Sequence, residues 1–255
     1  MKRIVPFIFL QCISVGLFAW GQTGHRVVAQ IAQNHISDKT ADQLFEIMGH
    51  ESLVEASTWM DNIKSDSTYD YTHAWHYVTI PDGETYATAE KSEGGDAYEA
   101  IVRMKGTLKD DNSTLQEKRE AIRVLTHLVG DIHQPLHVGN GKDKGGNSVK
   151  VKWFYKSSNL HRIWDSEMID SKQFSYSELA KLIDHPHAPT AIDYKSTDLN
   201  NWVKEAMNLR PQIYTFSNEE NLSYEYLYKN WGTLKDQLLK GGLRLAAVLN
   251  EIFEG

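Results

Sequence analysis

Cysteine is nearly absent from this chain, with Cys12 the only one in 255 residues. One cysteine can form no intramolecular disulfide, and no thiolate cluster can hold a metal, so any metal site must be built from His, Asp and Glu. Proline is sparse, and no Pro-rich or Gly/Ser-rich linker, internal repeat or low-complexity tract divides the sequence. At this length, that favours one domain over two. Positive charge is in deficit, at a formal net −7. Tight binding to duplex phosphates needs a broad Lys/Arg face, which this balance argues against. Long apolar runs are missing except at the start, where Lys2 and Arg3 precede an apolar stretch through Phe18 that ends at the small Ala19. That run is too short and wrongly flanked for a membrane span. It reads as a signal peptide over residues 1–19, cut before Trp20, which implies a secreted or periplasmic protein with no stable membrane association. Cleavage removes Lys2 and Arg3 and takes the formal charge from −7 to −9. The glycine- and lysine-rich run 139–146 lacks the G-x-x-x-x-G-K-[ST] order, which excludes a P-loop.

What the chain does have is histidine, concentrated in one place. The stretch 126–137 carries His127, Asp131, His133 and His137. Ile122, Leu125, Leu128 and Val129 fall on one apolar face, so a helix is expected here, part of a long central helix from Ser113 to Asp131. His127 and Asp131 are four apart and project from one side of it. Pro135 ends the helix and lets His137 reach a different point of the same pocket. His161 and Asp165 repeat the spacing of four on a second expected helix, 159–169. Imidazoles and carboxylates are zinc's preferred non-thiolate ligands, and open sites built from them are typically catalytic.

Further helices are expected over 25–36, 40–48 with Gly49 as its stop, 96–108, 176–183, 198–208 and 224–253. Ser113 with Gln116 suggests a capping box. The alternation in 147–155 suggests a β-hairpin. The aromatic run 73–81 reads as extended, and 84–95 as a polar surface loop. Asp61 lies among aromatic and apolar neighbours, where a carboxylate needs compensation; an N-cap role or an ion pair with Lys64, three residues on, can supply it. His35 and His50 have no partner at ligand spacing and read as structural or solvent-facing, and His185 and His187 as non-functional.

The motifs Trp20-Gly-x-x-Gly-His25, Trp59-Met-Asp61, His76-Tyr77, His127-x-x-x-Asp131, His137, Gly145-Gly-Asn147 and Asn159-Leu-His161-x-x-x-Asp165 occur in the order seen in one family. The chain resembles the three-zinc, single-strand-specific nucleases of fungi, plants and bacteria, the S-one/P-one nucleases of the phospholipase C/nuclease superfamily. The resemblance implies a mostly α, single helical domain over 20–255 with one small hairpin and a cleft for three zinc ions. It assigns Asp61, His76, His127 and Asp131 to the first ion, His137, His161 and Asp165 to the second. Trp20, through its α-amino nitrogen and carbonyl oxygen, would hold the third with His25 and a shared Asp131. It further implies that Asp61 and Lys64 act in catalysis, and that Tyr77, Lys64 and Asn147 meet the substrate. The activity implied is endonucleolytic cleavage of single-stranded DNA and RNA to 5′-phosphates, with 3′-nucleotidase activity, by a monomer. Thr79 stands where fungal members place an Asp, so base preference does not carry over. A phospholipase C-like enzyme and a non-catalytic zinc-binding protein are the alternatives.

Overall fold

A computed structural model describes residues 20–184, 193–216 and 221–254. The expected signal peptide with Cys12, and His185 and His187, lie outside these residues. The described chain is mostly α-helical. Helix α1 (Gln22–His35) is followed by α2 (Asp38–Met48), short α3 (Leu53–Ala56) and α4 (Trp59–Asn62), α5 (Ala97–Lys109) and α6 (Leu115–Ile132). After it come α7 (Leu160–Arg162), a π-helical turn Ile163–Glu167, α8 (Met168–Asp170), α9 (Tyr176–Ile183), α10 (Leu199–Ile213) and α11 (Tyr224–Glu254). Helix α1 packs along α11, and α5 along α6. Their inward faces join one apolar cluster running from Trp20 to Leu249. Among the described residues, no helix is long and apolar enough to cross a membrane.

Helix α6 is the spine of the site, and its second half from Val124 to Ile132 is wholly buried. Its start departs from expectation. The capping box is Thr114 with Glu117, not Ser113 with Gln116: Thr114 N–H donates to Glu117 Oε2 at 2.7 Å, and Glu117 N–H donates to Thr114 Oγ1 at 3.2 Å. Both pairs fit the pattern, but a carboxylate is the stronger acceptor and suits the positive end of the helix.

The aromatic run before His76 is also different, being a 3₁₀ helix (Ser67–His76) and not extended. With three residues per turn, Tyr69, Thr72 and Trp75 share one side. Trp75 Nε1 donates to Gly94 O at 2.9 Å, and Trp59 meets Tyr69 edge-on. His35 is not unpartnered, because its Nε2 lies 2.8 Å from Asp184 Oδ1 across 149 residues of chain.

Sheet is more than one hairpin. Strand β1 (Val78–Thr79) pairs in parallel with β2 (Val138–Gly139), in the register Val78↔Val138. Strand β3 (Lys150–Trp153) pairs antiparallel with β4 (Lys156–Asn159), and its other edge takes β5 (Asn221–Leu222) in parallel. The added strands are two residues long, too short to leave a periodic trace. They matter out of proportion to their size, since β1–β2 ties the chain just after His76 to the chain just after His137.

Candidate metal centre and cleft

Five separate segments converge on the buried end of α6. Asp131, with no exposed surface, points Oδ1 at His25 Nε2 of α1 (3.3 Å) and Oδ2 at His76 Nδ1 (3.0 Å) and His127 Nε2 (3.3 Å). His127 Nε2 lies 4.0 Å from Asp61 Oδ1 of α4. Across a short gap, His137 Nε2 lies 3.7 Å from Asp165 Oδ1, and His161 Nε2 lies 3.0 Å from Asp165 Oδ2. Three groups of donors result: His25, His127 and Asp131; Asp61, His76 and His127; and His137, His161 and Asp165. His127 therefore borders two groups, and its ring stacks on that of His25 with centroids 3.9 Å apart.

These residues fit a metal centre, for reasons beyond proximity. A ligating imidazole is usually fixed by a hydrogen bond from its other nitrogen. Here His127 Nδ1 faces Ser57 O at 2.7 Å, His137 Nδ1 faces His76 O at 2.6 Å and His161 Nδ1 faces Gly145 O at 2.7 Å. A carbonyl can only accept, so each Nδ1 carries a proton, and Nε2 is the nitrogen that turns a lone pair inward in the neutral ring. Asp165 is held in turn by Gln134, whose Nε2 donates to Oδ1 at 2.6 Å while its Oε1 accepts from Leu136 N–H at 2.6 Å. Both nitrogens of His25, His76 Nε2, His137 Nε2 and Asp131 Oδ1 are buried without an aligned hydrogen bond. Such orphaned polar atoms are costly unless a cation or water meets them.

Protonation follows from burial and charge. Desolvation, then the neighbouring His127, lower the pKa of His25. Burial lowers that of His76 to about 4. Both rings are neutral donors at neutral pH. Burial would raise Asp131, but the imidazoles of His127 and His137 outweigh it and hold the carboxyl well below its usual range. Burial likewise opposes ionisation of Asp61, and His127, His25 and Lys64 together outweigh it. His127 is penalised by burial yet raised overall by Asp131 and Asp61.

The local sequence explains the close approach. Trp20 Nε1 donates to Gly130 O at 2.8 Å, which sets the start of α1 against α6 one residue before Asp131. A Cβ on Gly130 would stand 2.9 Å from His25 Nδ1. Gly145 has φ 59°, and a Cβ there would meet Leu136 O at 2.3 Å, so only glycine fits where the loop passes the carbonyl of Leu136 beside the site. Asp165 sits on the π-helical turn. Lys64 Nζ bonds Asp61 Oδ1 at 2.6 Å.

A cleft of ≈ 460 Å³ opens beside these groups, lined by His76, Tyr77, Thr79, His137, Asn147 and His161. Tyr77 is 41% exposed. Asn147 is turned by donating from Nδ2 to Lys144 O at 3.0 Å. Sequence reasoning missed Gln134 and the carbonyls of Ser57 and Gly145, which carry no spacing signal. It also missed Arg244, 111 residues from its partner. His133 Nδ1 faces Val129 O at 2.7 Å, so its Nε2 accepts from Arg244 Nη1 at 3.0 Å, while Arg244 Nη2 meets Glu205 Oε1 at 2.8 Å. The last turn of α6 is anchored from behind by this buried pair.

A helical body with a buried imidazole–carboxylate centre at the floor of a cleft defines the class as a helical metal-site protein. The S1/P1 Nuclease family matches residues 20–254, and the chain belongs to it. Endonuclease 4 of Arabidopsis thaliana is 29% identical over 93% of this chain and 90% of its own length. Nuclease S1 of Aspergillus oryzae is 27% identical over 99% and 98%. Nuclease P1 of Penicillium citrinum is 25% identical over 91% and 97%.

Proposed function

We propose that this chain is an exported endonuclease that hydrolyses single-stranded DNA and RNA to 5′-phosphorylated products, with 3′-nucleotidase activity, using three zinc ions. The names of its relatives support nuclease chemistry. The observation that carries the reading is the set of three His/Asp groups, buried except for the partly buried Asp61, beside a nucleotide-sized cleft edged by Tyr77 and Asn147.

His137, His161 and Asp165 would hold one ion, and Asp61, His76 and His127 another. His25 with the processed N-terminus of Trp20 would hold a third, and Asp131, with one oxygen toward His25 and the other toward His76 and His127, would be shared. When bound, zinc lowers the pKa of water toward about 7 and offsets charge on phosphoryl oxygens. The chain's own groups do the rest. Asp61, kept ionised, accepts a hydrogen bond from the attacking water and orients it. The water's oxygen forms the new bond to phosphorus as the bond to the 3′-oxygen breaks, the water giving up one proton and the departing 3′-oxygen taking one up from solvent. Lys64 brings a cation to where charge builds in the transition state. Tyr77 stacks a base, which requires a free base face and so favours single strands.

The test is purified mature protein assayed on single-stranded DNA, RNA, a 3′-nucleotide and a phosphatidylcholine, with and without chelator. Chelator-sensitive cleavage of the first three is expected. Turnover of the lipid alone would replace this reading with the phospholipase one, and metal binding without any turnover would leave a zinc-binding protein.

A further inference from the structure

The protein is acidic overall, yet the segment 139–159 holds five lysines against one aspartate. Lys142 is neutralised by Asp82 at 2.8 Å, and Lys156 lies within electrostatic reach of Glu167. Lys144, Lys150 and Lys152 are exposed and have no ion pair among the described residues. Their arrangement is ordered. Lys144 sits in the left-handed region (φ 56°) and lines the cleft with Asn147. Lys150 donates from Nζ to Asn147 O at 2.9 Å, so it begins where the cleft ends. Strand β3 alternates exposed Lys150, buried Val151, exposed Lys152 and buried Trp153. Both lysines thus stand on the outer face of the sheet, about 7 Å apart for two strand residues. Their cross-strand partners are Asn159, Ser157 and Asn221, none of them acidic.

We propose that the outer face of β3, entered from the cleft through Lys144, is a track for the phosphates of a single strand extending beyond the nucleotide in the cleft. A strand's two-residue repeat sets successive lysines at a spacing suited to successive phosphates of an extended chain. Charge complementarity and continuity with the cleft select this occupant. The inference rests on the nuclease reading: a mononucleotide or dinucleotide fills the cleft alone, whereas a polymer also reaches β3. The track raises activity on long strands without taking part in the chemistry.

The experiment compares wild type with Lys150→Gln/Lys152→Gln on a single-stranded oligonucleotide of about 30 nucleotides and on a dinucleotide, across salt. Single-strand binding weakens with salt with a slope of about 0.7 per phosphate contact, so losing two contacts flattens the slope for the oligonucleotide by about 1.4. Between 50 and 200 mM salt, wild type then loses about sevenfold more kcat/KM than the double variant. On the dinucleotide the two enzymes are equal. Lys152→Gln alone, which keeps the Lys150–Asn147 contact, gives half the change in slope. Lys39→Gln/Lys109→Gln, on α2 and the end of α5, removes the same charge and leaves the slope unchanged. Equal slopes for wild type and the β3 variant overturn the track, as does a parallel loss on oligonucleotide and dinucleotide. A wild-type protein that cuts neither substrate refutes the nuclease reading instead.

Discussion

At the scale of single residues, Asp131 has the most to lose. It faces four imidazoles, those of His25, His76, His127 and His137, with two oxygens and is completely buried. Asp131→Asn is expected to lower metal content by more than one ion per chain and activity by more than about 100-fold, beyond the 10–100-fold typical of removing a supporting group. Asp165→Asn, which touches only the His137 and His161 side, should cost at most one ion. Elemental analysis decides, and a fully metallated Asp131→Asn protein ends the shared-ligand assignment. Gln134→Leu, by freeing Asp165, belongs in the supporting class, with about 10–100-fold weaker metal affinity. Binding and chemistry separate at the cleft edge. Tyr77→Ala should raise KM, through roughly 1–3 kcal/mol of lost stacking. Lys64→Ala should lower kcat with its metal intact, because its charge acts on the transition state. The opposite pattern in steady-state kinetics would reject both roles.

At the scale of elements, α6 joins a well-capped, solvent-facing start to a buried, chemistry-bearing end. Thr114→Ala is expected to destabilise by about 1 kcal/mol, and Ser113→Ala by much less, since only Thr114 caps. Denaturant melts of the two variants check the assignment. Gly130→Ala reverses the ordinary expectation for a helix interior, where alanine is better by about 1 kcal/mol. Its Cβ would meet His25 Nδ1 at 2.9 Å. It should lower Tm and displace His25, with up to one ion lost; a raised Tm with full metal content would mean the α1–α6 approach is slack. The long helices were legible, because apolar residues recur at helical spacing in α1, α2, α5, α6 and α11; the one-turn helices α3 and α4, the latter carrying Asp61, are too short to show a period. The 3₁₀ helix before His76 was not legible. Its aromatic composition favours strand, and the contacts to Trp59 and Gly94 that override that preference come from distant sequence.

At the scale of the whole molecule, the site is a junction between helices α1, α4 and α6 and the cleft loops, with several of its polar atoms buried without an aligned hydrogen bond. Metal binding to the folded state alone should therefore stabilise the fold by linkage. Chelation is expected to lower Tm and abolish activity together, read by calorimetry and substrate assay; unchanged Tm on full metal removal would show that the centre is not a structural clasp. The proposed processing to a free amine at Trp20 belongs to this scale too. An amine must be unprotonated to ligate, and its reference pKa is about 7.7–8.0, so metal must displace the proton. One extra residue before Trp20 converts that amine to an amide. Such a protein should hold one ion fewer and be nearly inactive, whereas parity with the processed chain in both measurements would remove Trp20 from the ligand set.

The sequence by itself determined the donor inventory. With Cys12 alone among thiols, and with His127/Asp131 and His161/Asp165 each four apart, the ligand types and two local pairs followed from helical geometry. It also determined the helical class, because period and capping are local properties. Only the tertiary structure decided which donors share a group. His25 and His127 stack although 102 residues separate them; His76 reaches His137 through a strand pair two residues long. Gln134, Arg244 and the carbonyls of Ser57 and Gly145 act by holding other groups. Such support depends on orientation in space, and a hydrogen bond between residues far apart in the chain leaves no period to read.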